Sequence, residues 1–485
     1  LSPADLPGLE TLLCQGGDAR LACDPLSGLN AYGCPPRPRP GQLAFGSATA
    51  STISAPAFAA AQALRSRLAS GALDAEAACA GLRQELAQLC GAPAGSGVVL
   101  GASGTDVHLI AAHWAASAGG AGPLLVLMPE AAETGSGVPA ALRGLHPGGW
   151  SALGGVVPAG GALAGLGPVE AVELACRDDE GQPLPLAGLD AEVEARAGQA
   201  AAQGRRVLLV LVDASKTGLL APSPGCALRL RRRHPDHVEV LVDACQLRLS
   251  PATLGAYLGH GFLVAVTGSK FATGPAFSGA LLLPPAQARR LRQSPLPPAL
   301  ADYSARADWP EGWAAREALR SPANAGLLLR WEAALAEARA FQALPPAAVG
   351  AFLGSFAEAV QGRLAADPAL RPLALPRLDR GSAAPAGAWD GVPTLFPFLL
   401  MGQDRRPLGW EATTGVYRIL LAGGVQLGQP VHCGKGPLAA LRLGASMRLA
   451  AEALSPAGRG IAAVIADAMA ALDRAARLAA ELGRR

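Results

Sequence analysis

Lysine is nearly missing from this 485-residue chain: among 41 Lys plus Arg residues, only Lys216, Lys270 and Lys435 are lysine. Such a bias leaves lysine where arginine fails, and a guanidinium fails wherever an amine must shed its proton. Aromatic residues are also scarce, at 4%, and the formal net charge is only +3. With little to stack bases and little to neutralise phosphates, nucleic-acid binding is set aside. Nine cysteines are present, but no C-x-x-C pair and no zinc-finger histidine spacing accompanies them. They are expected to be small buried residues in a reducing compartment, which implies a cytoplasmic protein and no metal site. The opening LSPADLPGLETLL lacks a basic region followed by an apolar core, so no secretory signal is expected. One uncharged stretch, 147 to 169, is long enough to raise the membrane question, yet its glycines and prolines suit a loop. Hydrophobic residues at 50% against charged residues at 16% exclude disorder and allow a large core.

Against this background two stretches carry polar chemistry at the ends of apolar runs. Val240-Leu241-Val242 leads into Asp243-Ala244-Cys245-Gln246, and Val264-Ala265-Val266 leads into Thr267-Gly268-Ser269-Lys270. Short aliphatic and β-branched runs of this kind suit buried parallel strands, and in open α/β sheets ligands bind beyond the strands' carboxyl ends. An acid on one strand end and a lysine on another fit a cofactor that needs both, as pyridoxal 5′-phosphate does. Thr267, Gly268 and Ser269 suit a phosphate-binding turn. A third strand, Val98-Val99-Leu100, gives way to Gly101-Ala102-Ser103-Gly104-Thr105-Asp106 and then a helix through about 118. Backbone N–H groups and hydroxyls at a helix start make an anion pocket, so Ser103, Gly104 and Thr105 form the candidate phosphate cradle; the same residue types are also ordinary N-caps.

Further strands are expected at 123 to 128, 206 to 212 and 279 to 283, with helices over 57 to 90, 189 to 203 and 225 to 234. This alternation predicts an α/β fold: a mostly parallel central sheet sandwiched by helices, with a smaller C-terminal α+β domain. Residues 1–45, with the run CPPRPRPG, form an N-terminal arm, 46–300 the large cofactor-binding domain and 301–485 the small domain. In the small domain, helices are expected at 346 to 365 and 456 to 483, and strands near 394 to 401 and 414 to 421. Asn30 is a candidate turn residue or substrate contact.

Taken together, these motifs resemble fold type I pyridoxal-phosphate enzymes, specifically the class V aminotransferase and cysteine desulfurase group. The similar segments run in order along nearly the whole chain: ATAST at 48 to 52, Ser103-Gly104-Thr105-Asp106, Asp243-Ala-Cys-Gln246, Thr267-Gly-Ser-Lys270, LRSPAN at 319 to 324 and Ala440-Leu441-Arg442-Leu443. The resemblance implies that Lys270 holds the cofactor as an internal aldimine and then serves as acid or base at the α-carbon. It implies that Asp243 keeps the pyridinium protonated, that Gln246 and Ser215 donate to the phenolic oxygen, and that Arg442 grips a substrate carboxylate. Thr134 stands where desulfurases stack a histidine on the ring, and Ser269 where that group commonly has histidine. The loop from Ser321 to Asn324 is where the family reaches a neighbouring subunit, so a homodimer is expected, with Ala323 in place of the family's threonine. Cys433, between His432 and Lys435, is a candidate reactive thiol, and Lys216 is a further candidate. The implied activity is C–S or C–C lyase or aldolase-type chemistry on an amino acid, with an aminotransferase as the alternative. A non-catalytic α/β nucleotide-binding protein is a third reading, but no G-x-x-x-x-G-K-[ST] or G-x-G-x-x-G motif supports it.

Overall fold

The computed structural model describes residues 6–117, 119–385, 387–434 and 436–482. Among the described residues, thirteen strands form two sheets. The smaller sheet takes β1 (Leu43–Phe45) from the N-terminal arm; the larger is built from β2 (Gly97–Gly101), β3 (Leu124–Pro129), β4 (Val169–Leu174), β5 (Val207–Asp213), the short β6 (Leu220–Ala221), β7 (Val238–Ala244), β8 (Leu263–Thr267) and β9 (Gly279–Leu283). The chain then returns to the smaller sheet with β10 (Leu370–Pro372), β11 (Leu395–Leu400), β12 (Val425–His432) and β13 (Ala439–Gly444).

The strand order in the large sheet is β2-β9-β8-β7-β5-β3-β4, with β6 paired to β5. Strands β8, β7, β5, β3 and β4 run parallel, and only β9, between β2 and β8, and the short β6 run against their neighbours. Strands β2, β3, β5, β7, β8 and β9 are buried along their whole length, which explains their unbroken aliphatic sequences. Two hydrophobic clusters cover the faces of this sheet. Register then sets the site: Val212 pairs with Asp243, and Asp243 with Ala265, so the chain leaves β5, β7 and β8 along one edge. The second sheet runs β1-β12-β13-β11-β10, and β13 pairs antiparallel with both β11 and β12.

Some sequence expectations fail locally. The helix expected over 57 to 90 is two helices, Ala55–Ala69 and Ala75–Leu89, parted at Gly71, whose φ of 73° lies in the left-handed region. The strand expected at 414 to 421 is part of the helix Trp410–Ala422. Its Thr, Val, Tyr and Ile favour strands, but Thr413, Val416, Tyr417, Leu420 and Leu421 are buried at helical spacing while Ile419 stays exposed. Strand β4 was not expected, because its VEAVEL sequence is an edge strand with exposed glutamates. Among the described residues, no single helix is long and apolar enough to cross a membrane.

Candidate active site

Beyond the carboxyl ends of β5, β7 and β8 lies a cavity of about 540 Å³. Ser103, Gly104, Thr105, Thr134, Ser215, Lys216, Asp243, Gln246, Thr267, Ser269, Lys270 and Arg442 all line it, so the fold gathers residues from six separate segments. One wall is the start of the helix Gly104–Ala116. Ser103 is its N-cap: its Oγ accepts from the Asp106 N–H at 3.3 Å and donates to Asp106 Oδ2 at 2.6 Å. Burial pushes the Asp106 carboxyl up to about 6. Gly104 must be glycine for a contact reason: a Cβ there would lie 2.9 Å from Cys245 Sγ and 3.3 Å from Thr267 Cγ2. Thr267 Oγ1 donates to the Cys245 carbonyl at 2.7 Å and accepts from Ser269 Oγ at 3.3 Å.

Asp243, at the end of β7, has a partner that the sequence reading missed. His108, one helical turn after the cradle, donates Nδ1–H to the Gly104 carbonyl at 2.7 Å, which leaves Nε2 facing Asp243 Oδ2 at 3.4 Å. Both side chains are buried. Burial alone favours the neutral form of each, but the opposed charges win: the Asp243 carboxyl is held well below the usual carboxylate range and the His108 imidazole is raised. The spacing of four residues from Gly104 is the one sequence signal that points to His108. Cys245 presents its sulfur to the same pair, and the ligand atoms of His108, Asp243 and Cys245 lie within 4.8 Å of one another. Burial lifts the Cys245 thiol well above its ordinary value, so without a bound metal it stays protonated.

Lys270 leaves β8 into the cavity. Burial pulls its amine below the usual lysine value, against the opposing pull of the Asp243 carboxylate, so a larger share is neutral. Gln246 Nε2 donates to the Ala48 carbonyl at 3.1 Å, and its Oε1 accepts from Arg248 Nε at 3.2 Å. After β5 the chain turns through Ala214 at φ 62°, a left-handed conformation unusual for alanine, which swings Ser215 and Lys216 toward the cavity. Ser215 Oγ donates to Glu133 Oε2 at 2.5 Å. Glu133 also accepts from Thr217 Oγ1 at 2.7 Å and from Arg177 Nε at 3.0 Å, and neither Glu133 nor Arg177 is exposed at all. This buried network fixes the β5 turn. Next to Glu133, Thr134 Oγ1 is buried on the cavity wall without a hydrogen-bond partner.

From the second sheet, Arg442 on β13 reaches the same cavity. Its Nη2 donates to Thr49 Oγ1 at 2.7 Å and the Gln429 carbonyl at 2.6 Å, and its Nη1 to the Lys216 carbonyl at 3.3 Å, while Nε has no partner. No carboxylate among the described residues pairs with it. Burial pushes its guanidinium down to about 10. Its hold on Thr49 ties it to the ATAST segment. The N-terminal arm contributes Arg20 and Tyr32, and Trp410 and His432 stack at 4.1 Å along another wall.

Asn30 does not line the cavity: its Oδ1 accepts the N–H groups of Tyr32 at 3.0 Å and Cys34 at 3.1 Å, a turn-building role. Cys433 is fully buried in an apolar cluster with Leu373, Leu399 and Met401, away from the cavity wall, and burial pushes its thiol up to about 12. Lys435, expected to activate it, lies outside the described residues. Asn324, in the segment expected to reach a partner subunit, is used within the chain: Oδ1 caps the helix Ala325–Gln342 through the Leu327 N–H at 3.0 Å, and Nδ2 donates to the Gly16 carbonyl at 3.0 Å.

Neither family models nor curated proteins match this sequence. Solved structures match its fold. The cystine C–S lyase C-DES, in complex with its product cysteine persulfide, aligns with 91% of this chain and 98% of its own at 17% identity and a TM-score of 0.54. The cysteine desulfurase CsdA of Escherichia coli aligns with 90% of this chain and 94% of its own, at 14% identity and 0.53. Oryza sativa TDC with PLP and tryptamine covers 90% and 82%, at 14% and 0.51.

Proposed function

We propose, from a fold shared with fold type I pyridoxal-phosphate enzymes, that this chain is a pyridoxal 5′-phosphate-dependent enzyme acting on an amino acid. The observation that carries the reading is the meeting of Lys270 and Asp243 on neighbouring strand ends with the start of the helix Gly104–Ala116, around one cavity. The residues fit the group. Gly104 leaves backbone space at the helix start, Thr134 Oγ1 is an unpartnered buried hydroxyl, and Arg442 is a buried cation with no acid of its own. When bound, the cofactor supplies an electron sink for the pair left when a bond to the α-carbon breaks.

Each side chain then has a defined task. Ser103, Gly104, Thr105, Thr267 and Ser269 would hold the phosphate, where the helix N-terminus favours negative charge. Asp243, kept ionised by His108, would keep the ring nitrogen protonated. Gln246 and Ser215 would orient the phenolic oxygen, and Thr134 would contact the ring. Lys270 would bond the aldehyde and later move a proton at the α-carbon, a task suited to an amine whose pKa burial lowers. Arg442 would bind the substrate carboxylate.

For the reaction we propose C–S or C–C bond cleavage, the lyase type, ahead of transamination. The desulfurase and C–S lyase neighbours support this class. Persulfide transfer is a poorer fit, because Cys433 is packed away and Cys245 is a protonated thiol behind the Asp243 pair. We further propose a homodimer with a contact near Ser321–Asn324. Borohydride reduction of the cofactor-loaded protein followed by peptide mass analysis tests the assignment: the label is expected on Lys270, and a label elsewhere or none would overturn it.

A further inference from the structure

The cavity holds a second lysine that the tasks above do not use. Lys216 follows the left-handed turn at Ala214, and its side chain lines the cavity beside Lys270 and Arg442. Its Nζ has one hydrogen bond, to the Ala131 carbonyl at 3.2 Å. Among the described residues no carboxylate pairs with it. Glu133, on the neighbouring loop after β3, spends its oxygens on Arg177, Ser215 and Thr217. Lys216 and Arg442 are also physically linked, since the Lys216 carbonyl accepts from Arg442 Nη1 at 3.3 Å. Arg20, a third cation on the wall, is neutralised by Asp18 at 2.6 Å. Lys216 and Arg442 therefore stand side by side as two cations without acids of their own.

Resting on the cofactor reading above, we infer that Lys216 is a specificity residue: with Arg442 on the α-carboxylate, its ammonium binds a second anionic group on the substrate's side chain. The substrate class is then an acidic amino acid, one bearing a side-chain carboxylate or a sulfur oxyanion. An aliphatic wall would suit a neutral side chain better, and a lysine kept in a chain with so few would be wasted on one bond to a carbonyl. Burial, then the charges of Arg442 and Lys270, pull the Lys216 amine down to about 8. A bound anion opposes that pull and favours the ammonium form.

The test is a binding titration of the cofactor-loaded protein with aspartate, glutamate and cysteine sulfinate against asparagine and glutamine, followed by shifts in the visible band. Calorimetry with succinate against butyrate runs in parallel and needs no cofactor chemistry. Wild type is expected to favour the acidic member of each pair by about tenfold or more, the weight of one charge-assisted hydrogen bond. In Lys216→Met that ratio falls to near one, and in Lys216→Gln, which keeps a donor for the Ala131 carbonyl, it falls as well. Equal binding of acidic and neutral ligands by wild type, or an unchanged ratio in both variants, overturns the inference. If no visible band forms, the cofactor reading fails by itself, and the succinate ratio still decides whether Lys216 holds a second anion.

Discussion

Replacing Asp243 by Asn removes one charge and almost no volume, and its consequences reach beyond the ring nitrogen. At 3.4 Å, and with an effective dielectric of about 20, the Asp243–His108 attraction is about 5 kcal/mol. Desolvating both groups consumes much of this, leaving a net loss of about 1.5–3 kcal/mol for the ion pair. Without the carboxylate, His108 keeps its buried position and its bond to the Gly104 carbonyl, so burial takes over and its pKa falls below the ordinary histidine value. The pH dependence follows from the signs. His108, raised in the folded state, stabilises below its unfolded pKa of about 6.5 and loses that contribution as pH rises through the folded value. Asp243, depressed, stabilises above its unfolded pKa of about 3.9 and loses that contribution as pH falls through the folded value. The stability gap between wild type and Asp243→Asn is therefore widest between about pH 4 and pH 6.5. Denaturant titrations across pH measure it, and NMR of the His108 ring reads its protonation directly. A His108 that stays charged at neutral pH in Asp243→Asn would refute the coupling.

Other perturbations separate the roles of neighbouring residues. Gly104→Val places its Cβ 2.9 Å from Cys245 Sγ and closes the cradle, so affinity for pyridoxal phosphate, followed by equilibrium dialysis, should fall about tenfold or more. Glu133→Gln leaves the unexposed Arg177 without its acid and should cost about 3–5 kcal/mol in denaturant unfolding. Cys433→Ala, at a residue that does not line the cavity, should leave turnover within about twofold while costing about 1 kcal/mol of packing, so a large loss of activity would restore the thiol to the mechanism. Arg442→Met should raise KM for the amino acid by about tenfold or more with a smaller change in kcat.

How much of this was legible in the sequence depends on how far apart the partners lie. Asp243 and Lys270 were readable because each ends a buried aliphatic run, and strand register alone brings such ends to one edge. The strand-to-helix turn at Ser103 was readable for the same reason. The Glu133–Arg177 pair was not: it joins two loops 44 residues apart, and nothing in either segment marks the other. His108 looked like one more polar residue in an apolar helix, and only the seating of that helix against β7 gives it a partner. Asn30 and Cys433 each kept two readings in the sequence because composition says nothing of direction: Asn30 turns onto its own backbone and Cys433 into an apolar cluster. At 414 to 421, β-branched content pointed to a strand, but burial of one face fixed a helix.

The central claim is tested most directly by the visible absorption spectrum of the protein incubated with pyridoxal phosphate, wild type beside Lys270→Ala. The account predicts a band in wild type that survives removal of free cofactor and is absent from the variant. A wild type without the band, or a variant that keeps it unchanged, would contradict the assignment of Lys270 and of the cavity around it.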